Sequence, residues 1–117
     1  MGGKTSRTKG HSFERDIAKR FRHIFPKAIR QLEYQEGLGV DLANTGKLRI
    51  QCKAYKKYVS LSKIEEAMGE EGTIPCLITK GDHKPILIAM TLNDFFKILE
   101  NPDYVRDEKE VSEERDS

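Results

Sequence analysis

The chain has only two cysteines, Cys52 and Cys76, in 117 residues. Each sits in an apolar, strand-like run, so the pair offers neither a disulfide framework nor zinc-ligand spacing. Both thiols read as small packing hydrophobes. Long apolar runs are missing too. No stretch approaches the ~20 residues a membrane span needs, and no apolar signal region follows Met1. The expectation is a soluble, cytoplasmic protein with no membrane partner. Net charge is nearly absent as well, at +2, although 34% of residues are charged.

What is present is an uneven distribution of that charge. Residues 1–30 hold nine Lys or Arg against Glu14 and Asp16, whereas residues 102–117 hold seven acidic and three basic residues. A basic front predicts a polyanion partner, and an acidic tail predicts a solvated, disordered segment. By size the chain is one domain with one core. Its expected parts are a flexible basic arm over 1–10, a folded domain over 11–101 and the tail over 102–117. In the arm, Lys4, Arg7 and Lys9 either meet phosphates through counterion release or form a solubilising leader.

Ser12 reads as the N-cap of an amphipathic helix over 13–25. Phe13, Ile17, Phe21, Ile24 and Phe25 recur at helical spacing, and Pro26 is the stop. Arg15 lies on the polar face. Glu14 lies in the first turn at the edge of the apolar stripe, where taken alone it is helix-dipole decoration. Residues 28–32 form a short extended segment carrying Arg30. It pairs with a hairpin whose strands are 40–43 and 48–54, joined by the turn-formers Asn44, Thr45 and Gly46. Ser62 with Glu65 makes a capping box for a second helix from Lys63 to Met68. Strands follow over 75–80 and 86–90. Thr91 with Asp94 opens a helix from Leu92 to Glu100, with Phe95, Phe96 and Leu99 packing inward and Pro102 ending it. The order α-β-β-β-α-β-β-α predicts an α/β domain with a small mixed sheet flanked by helices.

The hairpin carries the chemistry. Alternation puts Ile50, Cys52 and Ala54 on one face of its second strand, the core face. Arg49, Gln51, Lys53 and Tyr55 share the other. Asp41 offers an anionic oxygen, Gln51 an amide oxygen and Cys52 its backbone carbonyl, hard donors suited to Mg²⁺. Lys53 beside them is placed to hold an attacking water or stabilise phosphorane charge. A solvated sheet face fits the hairpin equally well. Beyond it, Tyr55-Lys56-Lys57-Tyr58 interleaves basic residues with aromatics, either a phosphate contact or a solvated loop.

Taken together in order and spacing, Gly10-His11-Ser12-Phe13-Glu14-Arg15, Arg30, Asp41 and Gln51-Cys52-Lys53 resemble the PD-(D/E)XK nuclease superfamily. Within it, the chain is most similar to the small archaeal-type and phage Holliday-junction resolvases. The resemblance runs from about Gly10 to Met90 and implies a restriction-endonuclease-like fold. It implies that Glu14, Asp41, Gln51 and Lys53 are catalytic, with Glu14, Asp41, Gln51 and the Cys52 carbonyl on Mg²⁺, for which Mn²⁺ substitutes. Arg15, Arg30, Lys56, Lys57 and Lys80 would join the arm as DNA contacts.

The implied activity is hydrolysis of phosphodiesters in branched DNA, foremost four-way junctions, by a prokaryotic or phage-encoded protein. Two coordinated cuts imply a two-fold homodimer. Nicking, restriction or end processing by the same fold are alternatives, as is a non-catalytic DNA-binding module. Two departures bear on this. Val40 replaces the motif proline, which costs backbone rigidity. Gln51 replaces Glu or Asp, removing a charge worth roughly 4 kcal/mol against a cation at about 4 Å and an effective dielectric of about 20. Glu14 partly restores that charge. No serine of the resolvase kind lies between Arg30 and Asp41.

Overall fold

A computed structural model describes residues 2–31, 40–69 and 71–106, with side chains from Gly10 onward. The chain order is α1 (Gly2–Phe21), β1 (Ile29–Arg30), β2 (Leu42–Ala43), β3 (Leu48–Ala54), a 3-10 helix (Leu61–Ala67), β4 (Ile74–Lys80), β5 (Leu87–Ala89), α2 (Leu92–Glu100) and a second 3-10 helix (Pro102–Val105). β3 and β4 run parallel, from Leu48 opposite Ile74 to Ala54 opposite Lys80, and β5 returns antiparallel to β4. The result is a small mixed sheet in the order β3-β4-β5, beside a separate antiparallel pair of β1 and β2. This is the expected α/β class. A parallel pair needs a crossover, and the 3-10 helix Leu61–Ala67 lies on it.

α1 covers one face of the sheet. Phe13, Ile17 and Ala18 pack with Ile50, Cys52, Ile74, Cys76 and Ile78, and Phe25, Ala28, Leu42 and Val105 close the same cluster. Each large side chain buried there contributes about 1.5–3 kcal/mol. On the opposite face Leu77 and Thr79 are also buried, so β4 is covered on both sides as a central parallel strand must be. Both cysteines are free and buried.

Several boundaries differ from expectation. α1 begins at Gly2, so Ser12 lies inside the helix and residues 2–10 continue it where a flexible arm was expected. Gly, Ser and Thr signal helix weakly, but a helix nucleated by its buried face extends at small cost per residue. α1 also stops at Phe21. The Phe25 N–H reaches back to the Phe21 carbonyl at 2.7 Å, which turns Phe25 into the core and leaves Ile24 exposed. The crossover helix is 3-10, and its cap is Ser60, whose hydroxyl accepts from the Ser62 N–H, not Ser62 itself.

α2 has the expected bounds and its Thr91 cap, with the Asp94 N–H donating to Thr91 Oγ1 at 3.1 Å. Its rotation is not the expected one. Ile98 packs on the core, while Phe95, Phe96 and Leu99 are exposed.

Order also continues into the acidic tail. Val105 is buried, its carbonyl accepts the Lys47 N–H at 2.7 Å, and the Lys47 ammonium lies 3.9 Å from the Tyr104 ring centre. The turn facing it needs glycine: Gly46 has φ +59°, and a Cβ there would strike the Val105 carbonyl oxygen and the Phe25 ring. The polar run over 33–39 and the expected disorder over 107–117 lie outside the described residues. Among the described residues no helix is long and apolar enough to cross a membrane.

Candidate metal and nucleic-acid site

β3 has two unlike edges. One pairs with β4. The other meets Asp41, whose N–H donates to the Ile50 carbonyl and whose Oδ2 accepts the Cys52 N–H, each at 2.7 Å. A residue's N–H and C=O leave a strand on the same side, so the Cys52 carbonyl shares this edge with the Asp41 carboxylate.

Glu14 arrives from α1. Burial of Phe13 and Ile17 sets the rotation of the helix, and that rotation brings Glu14 to the rim of the core. Its side chain is mostly buried and lies 3.5 Å from Arg30 on β1, which accounts for the closeness expected of Arg30. Glu14, Asp41, Cys52 and Lys53 line one cleft of about 350 Å³, together with Gly10, His11 and Tyr55. The Cys52 thiol is pushed far up, first by burial and then by the Asp41 and Glu14 carboxylates, with Lys53 opposing. Both carboxylates thus lie close enough to the Cys52 thiol to oppose its ionisation, which places them around one partly buried point of the cleft.

The second face of β3 holds a surprise. Gln51 and Lys53 share it as expected, but the 3-10 helix Leu61–Ala67 covers it. Gln51 Nε2 donates to Glu66 Oε2 at 3.1 Å, Lys53 Nζ lies 3.4 Å from the same oxygen, and Lys63 Nζ lies 3.0 Å from Oε1. Arg49 is also held, donating to the Ala67 carbonyl at 2.8 Å. The Glu66 carboxyl is held below its ordinary value, first by the Lys63 hydrogen bond and then by the Lys53 charge, and Glu66 raises Lys63 in return. Gln51 is only 8% exposed, and among the described residues its Oε1 has no hydrogen-bond partner. A buried oxygen left so costs about 1–3 kcal/mol, which requires a reason.

The structure thus gathers Glu14, Asp41, the Cys52 edge and Lys53 at the cleft, and turns Gln51 toward Glu66. Glu66 escaped the sequence reading. The only local signal was the Ser62 and Glu65 pattern, one residue away, and its partners come from a strand reached only through the crossover.

Tyr55 and Lys80 line an adjoining cavity of about 400 Å³ with Ser12, Asp16, Asp82 and His83. Lys56, Lys57 and Arg15 are exposed. Lys4, Arg7 and Lys9 belong to the helix that leads into Gly10 at the cleft, and their side chains lie outside the described set.

Among the described residues no three His, Cys, Asp or Glu side chains gather as a metal-binding group. Mg²⁺ asks for less: one or two carboxylates, with water completing the octahedron. Two carboxylates and a carbonyl edge at one cleft fit that hard-oxygen preference.

Set against protein-family models, characterised proteins and solved structures, the chain matches none. A functional reading therefore stands on the cleft and on the motif resemblance.

Proposed function

We propose that this protein is a Mg²⁺-dependent DNA endonuclease of restriction-endonuclease-like fold. It hydrolyses phosphodiesters in branched DNA, foremost four-way junctions, as a two-fold homodimer. The observation that carries the reading is that Glu14 and Asp41, from separate elements, line the same cleft as Cys52 and Lys53. Bound there, Mg²⁺ supplies Lewis acidity and a water of lowered pKa.

The chain's own residues do the rest. Glu14 and Asp41 would hold the cation at the edge of β3 that does not pair with β4, where the Cys52 carbonyl offers a third oxygen. Lys53 orients the attacking water or stabilises the charge that develops on phosphorus. Glu66 fixes the Lys53 side chain from below, and its carboxylate supplies negative charge beside Gln51, where the motif has an acid. Exposed Lys56, Lys57 and Lys80 offer phosphate contacts that read shape and not base sequence.

Asp41→Asn tests the assignment. It removes an anion that faces both metal and phosphate, so cleavage is lost while junction binding is kept or tightened. Cleavage at the wild-type rate would sink the assignment. The engagement of Gln51 and Lys53 by Glu66 favours a second reading, a DNA-binding module without catalysis. Junction binding by the wild type with no cleavage in Mg²⁺ or Mn²⁺ would select that one.

A further inference from the structure

α2 turns its most apolar stripe away from the core. Leu92, Phe95, Phe96 and Leu99 recur at i, i+3, i+4 and i+7 and are 64%, 45%, 48% and 60% exposed. Ile88 on β5, just before the helix, is 53% exposed. It stands opposite Ile78, on the sheet face whose neighbours Ile86 and Met90 pack on the same core cluster as Ile98 of α2. The helix stripe and Ile88 therefore belong to one side of the molecule.

β5 is also an edge. Among the described residues it pairs with β4 only, and Leu87-Ile88-Ala89 has no charge or proline to protect its outer side. With aromatic side chains carrying ~150–250 Å² each, the five exposed residues leave on the order of 500 Å² of apolar surface per copy, against the ~800 Å² each partner buries in a standard interface. Pairing of the β5 edges and a polar rim can make up the difference.

The chain itself has little with which to cover this face. Residues 107–117 contain one apolar residue, Val111, and residues 1–9 only Met1. Residues 32–39 hold three, Leu32, Tyr34 and Leu38. Charge does not oppose a second copy: along α2 Lys97 is paired with Asp94 at 3.9 Å, and Glu100 is the remaining charge. An apolar stripe and a free antiparallel edge are self-complementary, as an isologous contact requires.

We infer that two copies of the chain meet through this face, α2 stripe on α2 stripe across a two-fold axis, with the β5 edges adjoining. The inference rests on the two-copy part of the functional reading and not on its chemistry. It has a consequence for the site. β3 and β5 are opposite edges of the sheet, so this contact leaves both clefts open, one on each side of the axis.

Sedimentation equilibrium of the full chain from about 1 to 100 µM tests the pairing, with Phe96→Glu as the variant. The wild type is expected to be dimeric and the variant at least about 30-fold weaker in self-association, with an unchanged circular dichroism spectrum. Single exposed cysteines, Leu92→Cys, Phe95→Cys and Leu99→Cys, give a second readout that does not depend on the charged variant folding. At least one should form a disulfide-linked dimer on oxidation, since Cys52 and Cys76 are buried. A wild type that stays monomeric at the highest concentration overturns the two-copy reading with the inference. A dimer that survives Phe96→Glu and yields no cross-link overturns this face alone.

Discussion

Glu66→Ala strands a buried amide. It strips Gln51 Nε2 of the acceptor at 3.1 Å, on a side chain that is 8% exposed in the wild type and whose Oε1 already lacks a partner among the described residues. A buried donor left unpaired costs about 1–3 kcal/mol. The two lysine pairs add little, because the Glu66 side chain is 41% exposed and solvent screens it. A loss of that size lowers Tm by about 5–15 °C in a domain this small. Glu66→Gln keeps an acceptor oxygen and should cost less than about 1 kcal/mol. Adding Gln51→Leu to Glu66→Ala removes both halves of the bond, so most of the loss should return, a coupling that independent sites do not show. Thermal melts followed by circular dichroism compare these three variants and Gln51→Leu alone with the wild type. If Glu66→Ala melts with the wild type, or if the double variant is simply the sum of its parts, the buried Gln51–Glu66 pair does not exist as described.

Three further outcomes follow from the fold. Burial and then Asp94 push the Cys76 thiol up to about 12 from 9.0, and Cys52 is raised further, so neither should react with a disulfide reagent at pH 8 until the chain unfolds. Because both folded-state values lie above the unfolded one, their stabilisation is complete below pH about 9 and falls above it by about 1.4 kcal/mol per pH unit for each cysteine. Urea midpoints measured upward from pH 9 should therefore fall less steeply in Cys76→Ala, and identical slopes would contradict the burial. Gly46→Ala places a Cβ against Val105 and Phe25 at φ +59° and should cost about 2–4 kcal/mol by urea unfolding; a neutral effect would mean the turn is wrongly described. Deleting 107–117, which carries a single apolar residue, should leave Tm nearly unchanged, whereas deleting from Pro102 also removes Tyr104 and buried Val105 and should cost at least about 2 kcal/mol. Equal melts for the two truncations would rule out the docked end.

Much of this fold was legible because β4 and α2 announce themselves. β4 is a short apolar run bounded by Gly72 and Gly81, and α2 opens with a Thr91 cap. The rotation of α2 was not legible. A stripe of Leu92, Phe95, Phe96 and Leu99 says that a face prefers burial, not what buries it, and in one chain the core took Ile98 instead. The extent of α1 was hidden for a different reason: residues 2–10 have no apolar period, so only continuity with the packed helix can reveal them.

At the site, alternation correctly paired Gln51 with Lys53 on one face of β3. It had no means of showing that Leu61–Ala67 folds over that face and brings Glu66 to both. The meeting of Glu14 with Asp41 was foreseen only through the motif resemblance, since their separation in the chain is bridged by packing of α1 on the sheet.

The most direct test of the account is cleavage by the wild-type protein of an end-labelled four-way junction and of a linear duplex of the same sequence, each with Mg²⁺ and with EDTA. Paired cuts in the junction that require Mg²⁺, with little cutting of the linear duplex, are expected. Cleavage that persists in EDTA, or no cleavage of either DNA with Mg²⁺ present, would contradict it.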